Sequence, residues 1–132
     1  MIRYKVVRLD FGNRHSCYAT GKYRLAYRKN TIVTAKKGTL GIAVFERRYQ
    51  AENFLHNEFS SDRGCEIIRV IPIGRGKRYR FVCESQDAMN LNIFYHRYRS
   101  NLNVFLRKIP PQLHSMSSPI GTIFYQQVKV LE

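Results

Sequence analysis

The chain has 132 residues, enough for one compact domain with a real core and too few for two. Hydrophobic residues make up 44%, which excludes a disordered chain, and 23 Lys+Arg against 9 Asp+Glu leave a net charge of +14. That balance favours polyanion partners: nucleic acid, a ribonucleoprotein or an anionic membrane surface.

Residues 1–50 hold twelve of the cations and two of the acids, so the N-terminal part carries most of the field. Ile2–Leu9 alternates, with Ile2, Tyr4 and Val6 on one face and Arg3, Lys5 and Val7 on the other, and predicts a strand. Asp10–Asn13 reads as a turn, and Ser16–Ala19 as a short second strand. Lys22–Lys29 predicts the next strand. Tyr23, Leu25 and Tyr27 point one way; Lys22, Arg24, Ala26 and Arg28 point the other. If it neighbours the first strand, Arg3, Lys5, Lys22, Arg24 and Arg28 share a sheet face without an acid, and solvated faces normally mix signs.

Thr31–Phe59 reads as strand, break at Lys36-Lys37-Gly38, strand and helix. Ala51, Leu55 and Phe59 recur four apart, with Phe54 beside them, which is one face of a helix over roughly Arg48–Phe59. That helix lacks a Ser/Thr/Asp cap. Cys65–Ile73 predicts a strand whose Pro72 belongs at an edge or where the strand leaves the sheet. Gly74–Arg80 then joins it to a strand over Tyr79–Glu84, as a hairpin with a flexible basic tip. Arg75, Lys77, Arg78 and Arg80 surround Tyr79, a mix suited to phosphate contact and base stacking.

Leu91, Phe94, Tyr95, Tyr98, Leu102, Phe105 and Leu106 fit a helix beginning near Ser85, although Asn90, Asn92, Asn101 and Asn103 oppose it. Pro110-Pro111 ends it. Gly121–Leu131 predicts a final strand, bent at Gln126-Gln127. The fold class expected is therefore α+β: a small, mostly antiparallel, curved sheet packed by one or two helices, in a single basic domain over residues 1–132.

Cys17, Cys65 and Cys83 are odd in number and contain no CxxC, so they read as small core residues in a reducing compartment. No apolar run approaches the roughly 18 residues of a membrane span, and no signal peptide precedes the first strand, so the expected location is the cytoplasm. His15 and Cys17 lack a second ligand pair at zinc-finger spacing, and neither metal nor cofactor is expected. There is no GxSxG, P-loop or paired-carboxylate motif. A small metal-independent ribonuclease needs only a His, Lys, Glu or Tyr as acid and base and cations for the phosphorane. His15, His96, Arg97 and Tyr98 supply those types, but in no recognisable motif.

Two strings, GTLGIAVFERRYQAENF (Gly38–Phe54) and PIGTIFYQQVKVLE (Pro119–Glu132), resemble a broad group of small, mostly uncharacterised phage and archaeal-virus proteins. In these a GTxGxxVF strand leads into an AxxF helix, and a GT…VKVL strand ends the chain. The likeness covers about a third of the chain and is structural rather than catalytic. It implies a viral origin and a small α+β fold, and transfers no active site. By analogy, small basic viral proteins act on host nucleic-acid machinery, anti-CRISPR inhibitors among them.

The leading expectation is a non-enzymatic, phage-type basic protein that binds nucleic acid or a nucleic-acid-loaded host complex, as an inhibitor of a host-defence ribonucleoprotein. Arg24, Arg28, Arg75, Lys77, Arg78 and Arg80 would contact phosphates and Tyr79 would stack. The alternatives are the ribonuclease, through His15 or His96, and a protein inhibitor whose basic face covers an acidic groove.

Overall fold

A computed structural model describes residues 1–17, 24–36, 40–58, 64–78, 81–83, 115–117 and 120–132, and the helix expected from Ser85 lies outside them. The elements are β1 (Arg3–Asp10), β2 (Asn13–His15), β3 (Ile32–Thr34), β4 (Ile42–Phe45), α1 (Arg48–Glu58), β5 (Cys65–Ile73), β6 (Phe81–Cys83), β7 (Ser115–Ser117), β8 (Thr122–Tyr125) and β9 (Gln127–Val130). The class is α+β, with a seven-stranded sheet in the order β3-β9-β5-β1-β4-β8 and β2 attached to β1. Every pairing among these strands is antiparallel.

Asp10 pairs with Asn13 across a two-residue turn. Phe11 and Gly12 both have positive φ, 50° and 82°, which is the signature of a type I′ hairpin. So tight a turn lets pairing resume at Asn13; of the second strand expected at Ser16–Ala19, Ser16 and Cys17 belong to no strand and the rest lies outside the described residues. Residues 24–28 follow the expected alternation: Arg24, Ala26 and Arg28 are exposed, Leu25 packs on the core and Tyr27 is buried. Among the described residues they pair through a His15–Ala26 bridge, flanked by Tyr27 N–H to Arg14 O at 3.0 Å and Ser16 N–H to Leu25 O at 3.0 Å.

β2 thus stands between β1 and this segment, and the shared face of Arg3, Lys5, Arg24 and Arg28 does not form. Lys5 and Val7 face inward instead. The Lys5 ammonium lies 5.5 Å from the centroid of the buried Tyr27 ring.

The larger core joins Val7, Tyr27, Val33, Ile42, Val44, Ile68, Val70, Ile123, Tyr125, Val128 and Val130, contributed by almost every strand of the sheet. A smaller cluster lies on the other face of β1. Val6 and Phe45 pack there on Ala51 of α1, with Tyr4, Phe54, Leu55 and Ile67 around them. The Phe45 and Phe54 rings sit 5.3 Å apart, tilted by 41°. The helix begins at Arg48 without the usual side-chain cap. Gln50 Oε1 instead accepts the Arg47 N–H at 2.9 Å, the reciprocal half of a capping box. Phe59 lies outside the described residues.

β5 spans the expected Cys65–Ile73. Its pairing with β1 stops at Val70, so the side of Pro72 that lacks an N–H faces no ladder there. β8 and β9 are separated by Gln126 alone, where the bend was expected. β3 and β4 do not pair with each other: β3 runs along β9 and β4 along β8.

Candidate nucleic-acid interface

The expected basic hairpin does not form. β6 pairs with β7, and the segment after β5 runs beside β8 instead. Lys77 N–H donates to Phe124 O at 2.9 Å, and Phe124 N–H to Lys77 O at 2.8 Å. Gly76 presses on the core: a Cβ there would stand 2.5 Å from Ile123 Cγ2 and 2.7 Å from the Tyr125 ring. Only a glycine permits that approach. Extended backbone alternates, so with Gly76 inward its neighbours Arg75 and Lys77 turn outward, and both are exposed. The cations are presented from an anchored strap and not from a flexible tip. Tyr79 and Arg80 lie outside the described residues.

The acids decide which cations are available. Arg14 pairs with Glu66, Arg24 with Asp10, Arg48 with Glu52, Arg69 with Glu132 and Arg78 with Glu46. The hydrogen bond from Arg78, at 3.0 Å, holds the Glu46 carboxyl below the ordinary carboxylate range. Arg69 does the same for Glu132. Two of the expected contact residues, Arg24 and Arg78, are therefore engaged with carboxylates. Arg28, Arg75 and Lys77 are exposed and in no ion pair among the described residues.

Lys29 was not singled out from the sequence and belongs with them. It lies in a tight turn in which Arg28 O accepts from Thr31 N–H and Thr31 Oγ1–H, with Asn30 at φ 63°. The pairing of two cations at a turn was the signal available. Arg28 and Lys29 line an open cleft of about 480 Å³ together with Leu9, Gly12, Asn13 and Arg14. Glu66 and Glu132 also line it, but Arg14 pairs with Glu66 and donates to Glu132 O, and Arg69 holds the Glu132 side chain.

The other chemistries have less to build on. His15 is half-buried in β2, opposite Arg8; His96 lies outside the described residues. Cys17 donates to Val6 O at 3.3 Å, and burial pushes its thiol up to about 12. No group of three or more His, Cys, Asp or Glu among the described residues could hold a metal ion, and none of their helices is long and apolar enough to cross a membrane. Comparison of the chain with protein-family models, with curated proteins and with solved structures gives no match.

Proposed function

We propose that the chain is a phage-type basic protein that binds nucleic acid, or a nucleic-acid-loaded host complex, through its phosphates and without catalysing a reaction. One observation carries this reading. Asp10, Glu46, Glu52, Glu66 and Glu132 each pair with an arginine, while Arg28, Lys29, Arg75 and Lys77 face solvent in no such pair among the described residues. The excess charge is thus held on side chains open to an outside polyanion, and phosphate is the anion that a nucleic acid repeats along its length. A host-defence ribonucleoprotein as target rests on analogy with the viral proteins the chain resembles. The reading includes action in the cytoplasm, which the free thiols of Cys17 and Cys65 suit.

The reading also takes the sheet as curved around its larger core. β8 and β9 are four strand positions apart in the hydrogen-bonded order, about 19 Å in a flat sheet. Only Gln126 separates them in the chain, which spans about 7 Å. On this reading curvature brings β8 and β9 together.

The test is direct. Protein purified at low salt should carry nucleic acid, visible in its ultraviolet absorbance, and lose it at high salt. Clean protein that shows no salt-dependent affinity for DNA or RNA, single-stranded or duplex, would rule the reading out.

A further inference from the structure

Phe11 is the most exposed large hydrophobic side chain described, at 105% of its reference area. It also holds a positive φ of 50°. Both facts are costly. A bulky residue strains in the left-handed region, and the first position of a type I′ turn suits asparagine far better. A ring standing wholly in water repays none of that strain by burial. Residues kept in such conformations at stability's expense are found where a ligand is met.

The surroundings identify the ligand. Gly12, next to Phe11, lines the same cleft as Arg28 and Lys29. Asp10, on the other side of Phe11, is held by Arg24. Phe11 therefore adjoins, through Gly12, a cleft whose lining carboxylates are paired while its Arg28 and Lys29 are in no ion pair among the described residues. An exposed aromatic ring beside cations is how unpaired bases are held: the ring stacks on a base, and the cations take the flanking phosphates. In a duplex a ring reaches a base face only by unstacking a step, which costs free energy, whereas an unpaired base offers its face freely.

We infer that the Phe11-Gly12 turn and the Arg28–Thr31 turn form a binding site for single-stranded nucleic acid, with Phe11 stacking on an unpaired base and Arg28 and Lys29 on adjacent phosphates. This rests on the proposed function and narrows it to single strands.

The test uses the intact chain and oligonucleotides of about ten nucleotides, within the span of known single-strand sites. Single-stranded RNA, single-stranded DNA and a duplex are compared, each carrying 2-aminopurine as a stacking reporter. The wild type should prefer one or both single strands and change the reporter's fluorescence. Phe11→Asn should lower single-strand affinity about 5- to 150-fold, the span of one lost stacking contact, and abolish the reporter signal. The same variant should melt at a higher temperature, because asparagine suits the turn, which separates lost binding from lost folding. Arg28→Gln with Lys29→Gln should make the salt slope shallower by about 1.4. Unchanged single-strand affinity in Phe11→Asn, or a wild type that prefers duplex, would overturn the inference and leave the proposed function standing. A wild type that binds none of the three would remove both.

Discussion

Lys77 and Phe124 exchange both of their main-chain hydrogen bonds, at 2.9 and 2.8 Å. That exchange ties the basic segment after β5 to β8, on the edge away from β4. It sets Gly76 against the core and leaves Arg75 and Lys77 outside. The charge is displayed by a backbone whose own polar groups are satisfied, so it is pre-positioned rather than loose.

Gly76 is the first place to test this arrangement. Gly76→Ala puts a methyl within 3 Å of Ile123 and Tyr125, both at least 94% buried. Overpacking of this kind costs about 1–3 kcal/mol. A denaturant titration should show that loss, whereas Gly74→Ala acts through backbone strain alone, since nothing stands within 4 Å of its Cβ position. A Gly76→Ala protein as stable as wild type would mean the strap is not seated on β8.

The helix face gives a second test. Ala51 is fully buried against Val6 and Phe45, so Ala51→Leu should cost about 1–3 kcal/mol by overpacking. Phe54 and Leu55 are half-buried, so truncating either to alanine should cost about 2–3 kcal/mol, the lower part of the range for core deletions. Thermal melts of the three variants check this; no change in any of them would detach α1 from the sheet.

Much of this was legible in the sequence. The alternation of β1, the span of β5, the face of α1 and the bend at Gln126 follow from local periodicity and turn chemistry. What the sequence did not disclose is which strands are neighbours. Gly74–Arg78 has the composition of a hairpin tip, but its pairing partner Phe124 lies far along the chain, and no local signal marks it. The same holds for the ion pairs. Arg24 and Arg78 look as free as Arg28 and Arg75 until the fold brings Asp10 and Glu46 to them. Lys5 looks solvated by type, and only the register places it over Tyr27. The Phe11-Gly12 turn was legible; the full exposure of its ring was not.

Lys5 makes a pH-dependent prediction. Burial lowers its pKa from the ordinary 10.5, so the folded protein releases this proton before the unfolded chain does. Between the two values the unfolded state binds more protons, and stability rises with pH. Cys17 acts oppositely. Its folded pKa of about 12 exceeds the ordinary 9.0, so above 9.0 it causes stability to fall as pH rises. The Lys5 contribution is therefore separated from that of Cys17 by comparing Lys5→Met with wild type at each pH. Lys5→Met should melt higher than wild type at neutral pH and lack the gain towards alkaline pH. A variant that melts lower would show that the contact with Tyr27 outweighs the cost of burying the charge.

The most direct measurement of whether these cations meet phosphate is the salt dependence of nucleic-acid affinity for wild type, for Arg75→Gln with Lys77→Gln, and for Arg78→Gln. Each phosphate contact contributes about 0.7–0.9 to the slope of log K against log salt, through counterion release. Arg75 and Lys77 are in no ion pair among the described residues, so removing both should weaken binding and make the slope shallower by about 1.4–1.8. Arg78 is held by Glu46, so its removal should change the slope by less than one such step. All three folds should survive, because exposed substitutions move stability by about 0.5 kcal/mol or less. A folded double variant with the wild-type affinity and slope would contradict the interface.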